Sequence, residues 1–172
     1  LLAVRAKRPR PALDDKVLAS WNGLALPALA KAAQALGEAR YLKAATETAS
    51  FLRLHLFDEV SGRLWHRWRE GQRAVPGLAD DYAFVAQGLL DLYEAGGDAQ
   101  WLDWALALTA TQQWLFAATE GGLFMTAEDH DARLLARLVE YADNVEPCAS
   151  SVAAANLIRL WRLTQREAFH EF

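Results

Sequence analysis

The chain has 172 residues, 53% of them hydrophobic, and a formal net charge of −4. That composition supports a sizeable buried core and excludes a disordered chain, while an acidic balance with basic residues scattered outside Arg5 to Arg10 excludes a nucleic-acid partner. A single cysteine, Cys148, rules out an internal disulfide or a thiolate metal cage. Polar residues such as Lys31, Gln34, Asp91 and Asp103 interrupt the apolar stretches, so none reads as a membrane span.

Residues 1–13 read as a lead-in segment, because Pro9 and Pro11 disfavour helix before them, and the basic run 5–10 reads as a solvated linker. Residues 14–172 read as one helical domain. Asp14 and Asp15 are placed to start a first helix over 16–36 by accepting from free backbone N–H groups. Gly37 stops that helix, and Pro27 inside it predicts a bend. A second helix over 39–57 is amphipathic, with Leu42, Ala45, Ala49 and Leu52 on one face.

The helical period disappears between 58 and 77. There Arg63 to Arg69 alternates polar and bulky residues before Glu70-Gly71, which predicts a short β-hairpin or an extended loop. A third helix over 79–94 is apolar nearly all round, as an inner helix should be. A fourth over 99–118 follows Gly96-Gly97, and a second long loop over 119–142 leads to a fifth helix over 148–163.

One pattern recurs: an acidic start, an apolar helix, then an aromatic that opens a second helix. Asp15 precedes Tyr41 by 26 positions and Asp143 precedes Phe169 by 26, while the middle copy, Asp81 to Trp101, is shorter at 20. Gly62-Arg63-Leu64-Trp65 and Gly121-Gly122-Leu123-Phe124 repeat a later element of the same unit. A period of about 65 residues with two helices per unit is an array of helical hairpins. The expected fold is all-α, with about three hairpins arranged as part of a toroid whose inner helices are the first, third and fifth; a flat helical solenoid is the alternative. Leu1 and the apolar-aromatic ending 168–172 fit a piece of a larger ring.

In a double ring the inner helices start at one end of the central cavity, so their first residues converge. That set is Asp14, Asp15, Trp21, Asn22, Asp80, Asp81, Tyr82, Tyr141, Asp143 and Asn144. Carboxylates and aromatics around one cavity mouth are the composition of a carbohydrate site, where carboxylates transfer protons and rings stack on sugars. An aspartate at a helix start is first of all a cap, worth about 0.5–2 kcal/mol. Only one of the adjacent Asp80 and Asp81 can cap, however, and the other is left to face the cavity.

The acid/base candidates are therefore Asp81 and Asp15. Trp21, Tyr82 and Trp65 are the expected stacking surfaces, Asn22 a hydroxyl-binding group, and Asp80, Asp143 and Asn144 complete the substrate-binding set. His66, between Trp65 and Trp68, reads either as a surface-loop histidine or as an acid/base reaching over the mouth. The four histidines show no metal-like spacing, and no metal or cofactor is expected.

The run Arg5 to Gly23, which contains Lys7-Arg8-Pro9, Asp14-Asp15-Lys16 and Trp21-Asn22-Gly23, resembles the thioredoxin-domain-containing proteins related to spermatogenesis-associated protein 20. Leu78-Ala79-Asp80-Asp81-Tyr82-Ala83, Gly88 to Glu94 and Ser151-Val152-Ala153-Ala154 fit the same family. The resemblance implies a thioredoxin-like domain elsewhere in the same polypeptide and an (α/α)6 toroid similar to N-acylglucosamine 2-epimerases and six-hairpin glycosidases. It also implies the remaining hairpins as intramolecular partners, while a small-molecule sugar is the ligand expected from the cavity-mouth residues. Pro27, and Pro147 to Ser151 where the family has a Pro-Ser-Gly-Asn-Ser-like turn, depart from the pattern. The expected function is a carbohydrate-active or sugar-binding domain. The alternative is a non-catalytic helical scaffold beside the thioredoxin-like module, and the expected compartment is the cytoplasm.

Overall fold

Helix α4, Ala79–Gly96, is the centre of the molecule, and its sequence explains why. From Ala79 to Leu92 only Asp80 and Gln87, two turns apart on one line, keep any exposure. A helix apolar on its remaining surface must be covered on several sides. It is: α2 (Ala19–Leu36), α5 (Ala99–Phe116) and α6 (Ala149–Thr164) all pack on it. Buried side-chain amides tie these neighbours to α4, Gln112 Nε2 donating to the Ala79 carbonyl at 2.8 Å and Asn156 Nδ2 to that of Ala83 at 2.9 Å. Near the C-terminal end of α4, Arg159 pairs with both Asp91 and Glu94.

The computed structural model describes residues 1–169. A single turn of helix, α1 (Leu2–Arg5), precedes Pro9 and Pro11, so the prolines do not suppress helix there altogether. Two antiparallel helical hairpins follow, α2 with α3 (Ala39–Leu56) and α4 with α5, and α6 begins a third. A 3-10 turn, Glu167–Phe169, follows α6; the second helix expected from Phe169 onward, and His170 with it, lie outside the described residues. Inner helices α2, α4 and α6 thus alternate with outer α3 and α5, and the line of Asp80 and Gln87 runs along the inner, concave side of α4.

Helices α2 and α4 cross closely because both carry glycine at the contact. A Cβ on Gly23 would lie 2.6 Å from the Val85 nitrogen, and one on Gly88 would lie 2.5 Å from the Leu26 Cβ. Gly23 inside a helix costs about 1 kcal/mol in propensity, and this approach is what it makes possible. Helix α2 also runs unbroken through Pro27.

The connection after α3 forms a small antiparallel sheet of β2 (Phe57–Asp58), β3 (Arg63–Arg69) and β4 (Gln72–Pro76), joined by β1 (Val17–Leu18). Strand β3 pairs with all three others. Glu70 and Gly71 both have positive φ, 51° and 77°, the twist a two-residue hairpin needs to match its strands. Strand β1 explains a departure from expectation: Asp14 and Asp15 do not start α2. Val17 and Leu18 pair with Trp68 and Arg67 instead, and the helix begins at Ala19.

Candidate active site

Asp81 is fully buried, and its two carboxylate oxygens are held between them by three donors from separate parts of the chain. Oδ1 accepts from the backbone N–H of Ser20 at 2.9 Å, and Oδ2 from that of Leu78 at 2.8 Å. Both amides belong to first turns of inner helices, which have no acceptor within their own helix. One carboxylate therefore caps α4 locally and α2 across 61 residues of sequence. The third donor is His66 Nδ1, 2.9 Å from Oδ2. Because Asp81 accepts, Nδ1 carries the proton and Nε2 is left as the free ring nitrogen. The hydrogen bond to Asp81 raises the His66 pKa above its usual value, partly offset by burial.

Asp80, on the concave line, is half-buried, and its Oδ1 accepts from the Asp81 amide at 2.8 Å. Burial first, then the adjacent Asp81 charge, pushes its pKa up to about 6. His66 lies near enough for its charge to oppose that shift, whereas Glu146 adds to it. A carboxyl that titrates near pH 6 close to an oriented imidazole is a pair able to give and take protons.

The far wall comes from the segment before α6. Asp80, Phe84, Glu140, Asn144 and Glu146 line a cleft of about 220 Å³, and a narrower recess of about 60 Å³ runs from Asp80 past Glu140 to Ser150. At the rim stands Trp21, 62% exposed, whose indole N–H donates to Glu146 Oε1 at 2.6 Å. A separate cavity of about 650 Å³ is lined by lead-in residues between Leu2 and Asp14 and by none of the groups of this cluster.

Comparison with known proteins places this architecture. The chain is 43% identical over 173 residues to spermatogenesis-associated protein 20 of Homo sapiens, a match that takes in 95% of the chain and 22% of that protein. The Mus musculus protein of the same name gives the same identity and coverage. Over this stretch the chain is homologous to the proteins of that name. It spans about a fifth of the length of these relatives. An uncharacterized Caenorhabditis elegans protein is 35% identical over 177 residues, covering 97% of the chain and 24% of its own length.

No family model matches the chain. Among solved structures, a sugar epimerase from a ruminal bacterium superposes with a TM-score of 0.73 at 18% identity, over 91% of this chain and 41% of that one. The cellobiose 2-epimerase of Spirochaeta thermophila gives 0.70 at 19%, over 91% and 41%. The unsaturated glucuronyl hydrolase of Bacillus sp. GL1 gives 0.70 at 16%, over 95% and 46%. These likenesses show the fold: the chain is part of an (α/α)6 toroid.

Of the residues expected at the mouth, Asp80, Asp81, Trp21 and Asn144 come together, and the others do not. Asp15 is half-exposed and pairs with Arg69 Nε at 2.6 Å, while Asp14 pairs with Lys16. Strand pairing of β1 carries both away from the helix start. Tyr82 is a core residue and no stacking surface: its hydroxyl accepts from the Leu64 amide, its ring packs on Phe116, and burial raises its pKa to about 12. Trp65 packs against the core with the Arg73 guanidinium over its ring.

Asn22 donates its amide to the Leu18 carbonyl within the first turn of α2. Asp143 accepts from the Cys148 amide and so caps α6. Two residues gain weight from the structure. His66 was legible as a histidine between tryptophans; Glu146 carried no sequence signal, since its partner lies 125 residues away. Among the described residues no group of histidine, cysteine and carboxylates is arranged to hold a metal, and no helix is long and apolar enough to cross a membrane.

Proposed function

We propose that this toroid segment carries part of a saccharide site, with acid–base chemistry centred on Asp80 and His66. The observation that carries the reading is the division of labour within the Asp-Asp pair. Asp81 is buried and takes up the imidazole Nδ1, and Asp80 faces the cleft with a pKa near 6. His66, whose pKa is raised above its usual value, donates its Nε2 proton to a sugar oxygen, and the Asp80 carboxylate accepts a proton from the same ligand or from water. Trp21 supplies the apolar wall on which a pyranose ring stacks, and Asn144 and Glu140 offer partners to hydroxyls. That a cellobiose 2-epimerase and an unsaturated glucuronyl hydrolase share the fold supports the ligand class. The reaction class assigned is proton transfer at a saccharide.

A second reading has its own support. Asp15, Asp81 and Asp143 are all committed to ion pairs or helix caps, as they would be in a helical scaffold beside a thioredoxin-like module in a longer cytoplasmic polypeptide. Calorimetric titration of the full chain with mono- and disaccharides separates the two readings. Under the saccharide reading Asp80→Asn abolishes binding while the melting temperature holds. A wild-type protein that binds nothing in the panel favours the scaffold.

A further inference from the structure

The contact between Trp21 and Glu146 joins the first turn of α2 to the segment that leads into α6. It is a short charge-assisted hydrogen bond, 2.6 Å from indole N–H to carboxylate. The geometry points to Glu146 as a positioning residue that fixes the Trp21 ring as the stacking wall of the saccharide cleft. This rests on the saccharide reading above.

Three features converge on it. First, an exposed tryptophan on a helix surface has several rotamers, and a carboxylate acceptor on its indole selects one of them. Trp21 is 62% exposed, so van der Waals packing alone does not select that rotamer.

Second, Glu146 is itself braced. The Asn144 amide donates to the Glu146 carbonyl at 3.0 Å, and Asp143 Oδ1 accepts from the Cys148 amide at 2.8 Å. The two bonds close a tight turn over 143–148, and Pro147 restricts the backbone directly after Glu146. The carboxylate is thus presented from a stiff loop on the far side of the concave surface. Third, Glu146 lines the same cleft as Asp80 and acts on it electrostatically. Wall and titrating carboxyl are therefore set by one residue, and Asp143, which read as a ligand contact in sequence, holds the turn that presents it.

The experiment is an indole 1H–15N spectrum of the full chain, with the Trp21 signal assigned by its loss in Trp21→Phe, followed by titration with cellobiose and with mannose. In Glu146→Ala the Trp21 signal moves upfield into the range of water-exposed indoles, and saccharide binding weakens about tenfold, the size of one charge-assisted hydrogen bond. In Glu146→Gln, whose amide oxygen still accepts from the indole, binding stays within about twofold of wild type, a rescue that a merely structural role does not predict. A Trp21 signal unmoved in Glu146→Ala overturns the inference. So does unchanged saccharide affinity in a variant whose indole has been released. Failure of the wild type to bind either sugar overturns the saccharide reading itself, and is distinguishable because it needs no variant.

Discussion

The two long connections of this chain begin alike and end in different kinds of structure. Each opens on a glycine-leucine-aromatic turn, at Gly62 to Trp65 and at Gly121 to Phe124, and each feeds the start of an inner helix. The first becomes a sheet in which β3 pairs with three other strands. The second closes only two isolated bridges, Ala117 with Leu123 and Phe124 with Val139. It is held instead by side chains. Arg137 donates to the Leu115 and Thr126 carbonyls, and Ser150 Oγ accepts from the Leu123 amide.

Alternation explains the contrast. Arg63 to Arg69 alternates bulky and polar residues and so suits a strand with one packed face; nothing comparable runs through 125–147. The backbone ladder sets His66 firmly against Asp81, and the second connection brings Glu140, Asn144 and Glu146 to the opposite wall. One repeated position in the hairpin array therefore delivers an imidazole to Asp81 in one copy and the Glu140, Asn144 and Glu146 wall of the Asp80 cleft in the other.

Breaking each region at its anchor sharpens the comparison. Asp81→Ala leaves two helix-start amides and the His66 imidazole without their acceptor, and we expect a loss of roughly 3–5 kcal/mol in urea unfolding, with the β3–β4 hairpin exposed to hydrogen exchange. A loss under 1 kcal/mol would mean that the sheet does not depend on that carboxylate. In the second region, Arg137→Ala removes donors from two carbonyls and should cost about 1–2 kcal/mol. Faster exchange should then be confined to 117–139, and spread into 57–76 would show that the two connections are one unit. Asp143→Ala removes a single cap and should cost about 1 kcal/mol, read as a melting-temperature shift accompanied by fraying at Cys148.

The pH dependence tests the cleft that the two connections share. Asp80 has a folded pKa raised from 3.8 to about 6, so the folded state binds more protons across that interval and stability falls as pH rises through it. His66 is also raised; its contribution is complete below about 6.5 and lost as pH passes its higher folded value. Asp80→Asn should flatten the dependence between pH 4 and 6 and leave the decline above 6.5. A wild-type curve that rises across pH 4 to 6 would contradict a protonated Asp80.

Much of this was legible in the residues. The apolar surface of α4, the amphipathic α3, the stops at Gly37 and Gly97 and the hairpin turn at Glu70-Gly71 all follow from local periodicity and backbone preference. One of Asp80 and Asp81 caps, but it is Asp81, the expected acid/base: at the third position of α4 it is buried and reaches back to Leu78, and Asp80 is the one that lines the cleft. Gly23 looked costly for a helix and proves to be the point where α2 meets the backbone of α4.

What local pattern could not supply was long-range pairing. Asp15 has the same acidic, helix-preceding context as Asp81, yet β1 pairs with β3 and turns Asp15 toward Arg69. Tyr82 and Trp65 are aromatic next to the right residues, yet one is consumed by the core and the other covered by Arg73. The sequence by itself determined the hairpin array, because the period of apolar residues and the stop signals act within a few turns of chain. Only the tertiary structure decided which carboxylate is buried, which faces the cleft, and that Trp21 meets Glu146. Those outcomes depend on burial and on donors 61 and 125 residues away, and no local propensity encodes a partner at that distance.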